Sequence, residues 1–68
     1  MQVESTAIRD IDYDDIHEKL VVTFQDGDAY VYVGVPGEVH RSFLDADSKG
    51  RFFVYEISGR YPYNKLAN

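Results

Sequence analysis

The 68-residue sequence contains no cysteine and no tryptophan, and it has only two prolines. Without cysteine, the chain has neither a disulfide nor a thiolate zinc site to stabilise it, which agrees with a reducing compartment. No apolar run approaches the roughly 18–20 residues that span a bilayer. The first residues, Met1-Gln2-Val3-Glu4, lack the basic and apolar regions of a signal peptide. We therefore expect a cytoplasmic protein with no membrane partner.

The charged residues are divided unequally between the two halves of the chain. The formal net charge is −5, but residues 1–33 carry −6 and residues 34–68 carry +1. From Ser48 onward the chain has four cations and one anion, interleaved with five aromatic residues. Acidic surfaces attract basic partners and basic surfaces attract nucleic acids, so the two halves predict different kinds of partner.

Alternating apolar residues predict three strands in the first half of the chain. They cover Ile8 to Tyr13, Lys19 to Phe24 and Ala29 to Val33. The first strand alternates apolar residues with aspartates, as a half-buried edge strand does. Asp26-Gly27 is a strong hairpin signal between the second and third strands. The three strands should form an antiparallel meander.

Helical spacing replaces strand alternation after Val35-Pro36. Proline is preorganised for the first position of a helix, where its missing N–H is not needed. A second helix should begin at Ser48, a good N-cap residue, and end near Gly59. Pro62 favours extended backbone before it, so residues 60–66 should form an extended tail. The sequence predicts one α+β domain over residues 1–68, with the order β-β-β-α-α.

The loop before the third strand decides which face of the sheet carries Tyr30 and Tyr32, because a one-residue shift moves every side chain to the other face. A two-residue loop, Asp26-Gly27, turns both rings away from the main core, where each could stack on a base with about 1–3 kcal/mol. A three-residue loop, Gln25-Asp26-Gly27, with a left-handed glycine places both rings among the apolar side chains of the second strand. We favour the second register, since a core this small needs two large rings.

Several short motifs together resemble the KTSC domain family, which is named for its occurrence at the C-terminus of some lysyl-tRNA synthetases. The resemblance runs from Ile8 to Tyr63 and rests on the order and spacing of Tyr13-Asp14, Leu20-x-Val22-x-Phe24, Gly27, Tyr30-x-Tyr32, Val35-Pro36, Ser48-Lys49-Gly50-Arg51-Phe52-Phe53, Ile57 and Arg60-Tyr61-Pro62-Tyr63. It implies a short domain of undetermined function, found alone in bacteria and phages or joined to that synthetase, with RNA binding suggested by this association. The chain differs from the family at Val54 and Ser58, where asparagine and a basic residue are common.

The basic and aromatic residues of the last third form the candidate nucleic-acid site. Free N–H groups at the start of the second helix, with two neighbouring cations, could hold a phosphate, although the glycine-rich pattern of a P-loop is absent. The alternative is that Ser48 only caps the helix and the two cations are solvated. The candidate nucleic-acid-binding residues are Lys49, Gly50, Arg51, Arg60, Tyr61, Tyr63 and Lys65, together with Tyr30 and Tyr32. With four phosphate contacts at most, binding should be near ~10⁻⁴ M or weaker.

The acidic residues and histidines predict neither a metal site nor an active site. Asp10-x-Asp12-x-Asp14 begins like an EF-hand loop, but the glycine and the bidentate glutamate of that loop are missing. A solvated acidic strand face is the simpler interpretation. His17 and His40 have no cysteine or nucleophile elbow to serve. We expect no catalytic residues, no metal and no cofactor.

Two functions remain from the sequence. The first is weak binding of RNA or single-stranded nucleic acid by the last third of the chain. The second is a protein-interaction or inhibitor module, in which the carboxylates of the first half meet a basic protein partner. Reversing the charges of Asp10 and Asp12 to lysine should test this second function.

Overall fold

The computed structural model describes residues 1–66, which form a four-stranded antiparallel sheet covered by helices on one face. The strands are β1 Ile8–Asp14, β2 Lys19–Phe24, β3 Ala29–Val33 and β4 Tyr63–Lys65, and they are neighbours in that order. The helices are α1 Gly37–Asp45 and α2 Lys49–Phe52, and α2 continues into a π-helical segment, Phe53–Ile57. The α+β class and the three-stranded meander are confirmed. The prediction of only three strands is wrong, because part of the extended tail is β4.

β4 exists because the chain reverses after the π-helical segment. Gly59 has a φ of +80°, which glycine adopts without steric cost. The strand then pairs with β3 through Val31 and Asn64 at its centre. Backbone bonds close both ends of the pairing, from Val33 N to Pro62 O at 2.9 Å and from Leu66 N to Ala29 O at 2.8 Å. Pro62 has no N–H to donate, but its carbonyl still accepts.

The β2–β3 hairpin has the three-residue loop, so the favoured register is confirmed. Gly27 has a φ of +96°, and its N–H donates to the carbonyl of Phe24 at 3.0 Å. In the strands that follow, Val22 lies opposite Tyr30 and Leu20 opposite Tyr32. Both tyrosines therefore share the helix-covered face of the sheet with the apolar side chains of β2.

The core lies between this face of the sheet and the helices. Its buried members are Ile8, Ile11, Leu20, Val22, Tyr32, Val35, Phe43 and Ile57. Phe43 of α1 stacks on Phe52 of α2 with ring centroids 5.2 Å apart, which joins the two helices above the core. No helix within residues 1–66 is long and apolar enough to cross a membrane.

The helix ends follow the sequence signals with one exception. Ser48 is the N-cap of α2, and its Oγ accepts a hydrogen bond from the N–H of Arg51 at 3.2 Å. Pro36 was expected at the first helical position, but it is the N-cap of α1 and has extended backbone, so α1 begins at Gly37. Proline also suits the N-cap position, because the φ of −64° that Pro36 adopts there is the value that the proline ring imposes.

A three-residue N-terminal arm covers the outer edge of β1. The N–H of Val3 donates to the carbonyl of Arg9 at 3.1 Å, and the N–H of Ile11 donates to the carbonyl of Met1 at 2.9 Å. Gln2 forms an antiparallel bridge with Asp10 between these bonds. Residues 1–3 thus add a short fifth row of backbone pairing to the sheet.

The turn between β1 and β2 carries the most strained backbone of the described residues. Glu18 has a φ of +53°, the left-handed region that residues with a side chain rarely adopt. Its carbonyl accepts from the N–H groups of Gly34 and Val35, each at 3.0 Å. This residue therefore ties the first turn to the corner between β3 and α1.

Replacing this strained residue with glycine should stabilise the fold. We expect Glu18→Gly to raise the free energy of unfolding by about 0.5–1 kcal/mol, because the left-handed conformation is relieved while both carbonyl contacts remain. Urea denaturation of the wild type and the variant measures the difference. Ile16→Gly in the same turn is the control, and it should lose stability. A loss of stability in both variants would contradict the argument.

Candidate functional site

Five aromatic rings line one groove of the described surface, and we call it the aromatic groove. Its rings are Phe24, Tyr30, Tyr32, Phe53 and Tyr63. Neighbouring rings form a closed circuit in the order Phe24, Tyr30, Tyr63, Tyr32, Phe53 and back to Phe24, with centroids 5.1–5.8 Å apart. Most of the neighbouring pairs are steeply tilted, as edge-to-face aromatic contacts are. The rings therefore line the groove at different orientations instead of forming one flat stack.

Four elements of the fold bring these rings together. Phe24 ends β2, and Tyr30 and Tyr32 are alternate residues of β3, so they lie on one face. Phe53 opens the π-helical segment above that face. Tyr63 of β4 lies directly opposite Tyr32 in the sheet. The groove thus depends on the hairpin register and on the fourth strand.

The groove is open to solvent and has an acidic mouth. Its volume is about 330 Å³, and its remaining lining residues are Asp26, Asp28, Ser58 and Gly59. Asp26 accepts the N–H of Asp28 through Oδ1 at 2.9 Å, which holds both residues at the hairpin turn. Lys65 brings an ammonium to this mouth, with its Nζ 3.5 Å from Asp28 Oδ2. Two of the residues that line the groove, Asp26 and Asp28, are acidic.

The three tyrosines of the groove differ in exposure. Tyr32 is 5% exposed and belongs to the core, Tyr30 is half-buried, and Tyr63 is 58% exposed. Burial, with smaller contributions from Tyr63 and Tyr30, raises the pKa of Tyr32, so its hydroxyl stays neutral at physiological pH. Tyr63 offers most of the accessible aromatic surface. Tyr32, predicted as a stacking residue, has little surface left for a base.

The predicted phosphate-binding turn acts as a helix cap. Ser48 satisfies the N–H of Arg51, and the α-helical part of α2 is only four residues long. A side chain at Gly50 would place its Cβ 3.6 Å from the Cβ of Ala7, an ordinary contact, so no close approach requires a glycine there. The groove next to this turn also includes Glu4 and Asp47, whose charges repel a phosphate.

The predicted cations differ in their surroundings. Three of them contact other groups of the protein, and these contacts are Lys49 Nζ to Ala46 O at 2.6 Å, Arg60 Nε to Tyr55 O at 2.9 Å, and Lys65 Nζ to Asp28 Oδ2 at 3.5 Å. Arg60 and Tyr61 share a second groove with two carboxylates, Glu38 and Glu56. Arg51 is exposed, and its guanidinium has no hydrogen-bond or ion-pair partner within residues 1–66. Three of the four predicted cations thus already have a partner within the protein.

Sequence reasoning missed functional candidates on two surfaces. In the aromatic groove it missed Phe24, Phe53, Asp26 and Asp28 as site residues. On the outer side of α2 and the π-helical segment it missed Val54 and Tyr55, of which Tyr55 is 67% exposed. Arg51 and Tyr55 are four residues apart, a helical spacing that could have indicated their shared face. We call Arg51, Val54, Tyr55 and Arg60 the basic-aromatic helix face.

The acidic strand face and the histidines have structural partners. The Met1 amino group lies 3.0 Å from Asp10 Oδ1 and 2.7 Å from Asp12 Oδ1, and this hydrogen bond lowers the pKa of Asp12. Within residues 1–66, no group of three or more side chains is arranged to hold a metal ion.

Each histidine contacts another side chain. His17 Nδ1 is 2.8 Å from Asp14 Oδ2, and this contact holds the pKa of Asp14 below its usual value. His40 stacks on the ring of Tyr13 with centroids 4.5 Å apart, and burial, with a smaller effect of Arg41, lowers the pKa of His40. These contacts orient the two imidazoles, and the hydroxyl of Tyr13 donates to the carbonyl of Val35 at 2.7 Å.

Comparison with known proteins gives a consistent result. The model of the KTSC domain family matches residues 4–61. An uncharacterised protein of Stutzerimonas stutzeri is 41% identical over 51 residues, which are 75% of this chain and 72% of that protein. The crystal structure of a KTSC domain protein from Yersinia pestis superposes with a TM-score of 0.93 at 38% identity, and it covers 98% of this chain and 94% of its own.

Longer proteins also contain a similar segment. A lysine–tRNA ligase of Trichormus variabilis is 30% identical over 67 residues, which are 98% of this chain but 12% of that enzyme. A second lysine–tRNA ligase, from Nostoc punctiforme, is 28% identical over 67 residues, which are again 98% of this chain and 12% of that enzyme. The chain thus spans a small part of these relatives.

Removing the exposed ring of the circuit should destabilise the protein. Tyr63→Ala loses the contacts with Tyr30 and Tyr32, and we expect the free energy of unfolding to fall by about 1–2 kcal/mol. Tyr55→Ala is the matched control, because that ring is similarly exposed and has no aromatic neighbour within residues 1–66; it should change stability by less than about 0.5 kcal/mol. Urea denaturation of both variants is the measurement. Equal effects would show that the circuit contributes nothing.

Proposed function

This chain belongs to the KTSC domain family, and we propose that it is a non-catalytic protein-interaction module that holds a basic segment of a partner in the aromatic groove. The observation that carries the proposal is the closed circuit of five rings around an open groove with two carboxylates at its mouth. Large rigid rings contribute contact area at little conformational cost, which makes tyrosine frequent among the residues that dominate binding energy.

The size of the groove limits what it holds. A volume of about 330 Å³ is at the lower end of the range for small-ligand sites. One or two side chains of a bound segment fit such a space, whereas a large cofactor does not. Interaction through so few side chains implies modest affinity and a partner whose other contacts lie outside the groove.

Charge favours a basic segment. Asp26 and Asp28 flank the rings, and residues 1–33 carry a formal charge of −6. Charge complementarity of this kind accelerates encounter and excludes acidic competitors. The same charges disfavour a phosphate backbone at this groove.

A titration with defined peptides tests the proposal. We expect a lysine-rich hexapeptide to shift the NMR signals of the groove residues and its glutamate-rich counterpart to leave them unchanged. The double variant Asp26→Asn/Asp28→Asn keeps one side-chain oxygen at each position and should weaken binding severalfold, because it removes the charge attraction. Asp45→Asn/Asp47→Asn, with the same change of net charge on exposed residues, is the control. Equal weakening by both pairs, or shifts outside the groove, would contradict docking there.

Weak RNA binding is the second candidate. Two observations favour it: the similar segment occurs in lysine–tRNA ligases, and the basic-aromatic helix face presents an exposed tyrosine between two arginines. A base stacked on Tyr55 is worth about 1–3 kcal/mol, and few phosphate contacts are available, so affinity near ~10⁻⁴ M or weaker is expected. The predicted residues from Lys49 to Lys65 remain candidates for the same ligand.

This candidate predicts a different set of responses. We expect a short single-stranded RNA to shift the signals of Arg51 and Tyr55 at low salt and to lose binding at about 200 mM salt, because phosphate contacts release counterions. Arg51→Glu should abolish the shifts. Arg41→Glu, the same charge reversal on the exposed side of α1, should preserve most of them. Salt-independent binding, or equal loss in both variants, would rule out this face.

A further inference from the structure

We infer that the group recognised by the aromatic groove is an alkylammonium ion, carried by a partner's lysine side chain and held most tightly when that nitrogen is methylated. This inference rests on the protein-interaction function proposed above and specifies its ligand. A cation is attracted to the face of an aromatic ring within about 6 Å of its centroid. All five rings line the same groove and neighbour one another at centroid distances of 5.1–5.8 Å, so a cation bound there lies near more than one ring.

The tilt of the rings favours a round cation over a planar one. Neighbouring rings meet at 64–82° in four of the five pairs, and only Tyr32 and Tyr63 are closer to parallel, at 35°. A guanidinium binds best when it lies flat on a ring or forms a fork with a carboxylate. A tetrahedral ammonium with alkyl groups has no preferred plane and contacts rings on several sides at once.

Desolvation explains the preference for a methylated nitrogen. A free lysine ammonium is strongly hydrated, and an aromatic groove offers few acceptors for its three N–H groups. Methyl groups remove those donors and spread the charge, so less hydration is lost on entry. The carboxylates of Asp26 and Asp28 stay at the mouth, where they supply charge attraction without being buried.

The protein itself already places an ammonium at this mouth. Lys65 follows Tyr63 by two residues on β4, and its Nζ lies 3.5 Å from Asp28 Oδ2. An incoming ammonium therefore competes with Lys65 for the same negative field. Removing this lysine should strengthen the binding of a cation and weaken the binding of RNA, so one variant has opposite effects under the two candidate functions.

The experiment is an NMR titration of the full chain with small blocked probes. The probes are N-acetyl-trimethyllysine amide, N-acetyl-lysine amide, a neutral analogue with a tert-butyl group in place of trimethylammonium, and free choline. We expect the trimethyllysine probe to shift the ring signals of Tyr63 and Phe24 and to bind about tenfold more tightly than the neutral analogue, which lacks the cation–π attraction. N-acetyl-lysine amide should fall between these two.

Variants assign the effect to the groove. Tyr63→Ala and, as a milder change, Asp26→Asn should each lower the affinity for the trimethyllysine probe. Tyr55→Ala should leave this affinity unchanged. Lys65→Gln should raise the affinity for the trimethyllysine probe about twofold to fivefold, because a competing charge is removed. Unchanged or weaker binding by Lys65→Gln would contradict the competition.

The outcomes separate this inference from the function on which it rests. If the neutral analogue binds as tightly as the cation while the lysine-rich hexapeptide still occupies the groove, docking stands and cation recognition is overturned. If choline binds as tightly as the trimethyllysine probe and the hexapeptide does not bind, the groove is a small-molecule site and the protein-interaction function is overturned. If none of the probes shifts the groove, both fail.

Discussion

The length of the turn between β2 and β3 is the constraint on which the rest of this structure depends. Side chains alternate between the two faces of a strand, so a single residue more or less in the loop would exchange the faces of β3. Gly27 supplies the left-handed backbone that a three-residue loop needs. As a result Tyr32 enters the core and Tyr30 joins the circuit. With the shorter loop, Val31 and Val33 would face the helices, and no aromatic groove could form.

The second requirement is the return of the chain after the π-helical segment. The segment places Phe53 over the sheet, and the reversal at Gly59 brings Tyr63 back to the open side of β3. The wider π-helical turn bonds Ser58 N to Phe53 O at 2.8 Å. Such turns are rare and are often found at functional sites. Here it lies at the point where the helix forms one wall of the groove.

Much of the fold could be predicted because its signals are local. The alternation in β1, β2 and β3, the cap at Ser48 and the stop at Gly59 each depend on residues close in sequence. β4 was missed because three residues show too little alternation to distinguish a strand from an extended tail. The order of the strands in space also depends on a chain reversal that the sequence marks only by one glycine.

The candidate site was harder to predict because its members are distant in sequence. Phe24 and Phe53 meet only after the helices have folded over the sheet, and no periodic pattern links them. The basic residues illustrate a second difficulty. Lys49, Arg60 and Lys65 are close in sequence to aromatic residues, but in the fold each contacts a carbonyl or a carboxylate of its own protein. Proximity along the chain therefore shows neither which cations have partners within the protein nor that Asp26 and Asp28 lie beside the aromatic rings.

The two outer strands of the sheet are protected in different ways. The arm of residues 1–3 covers the edge of β1, while the opposite edge is the three-residue β4, which follows Pro62 and ends in a lysine. A short edge with a nearby proline and a charge gives another chain little backbone with which to pair. Sheet proteins of this size are prone to edge-to-edge aggregation when such a strand is long and flat. In this molecule the strand that completes the groove is also this short edge, so pairing with a neighbouring sheet is disfavoured at the place where the aromatic surface opens.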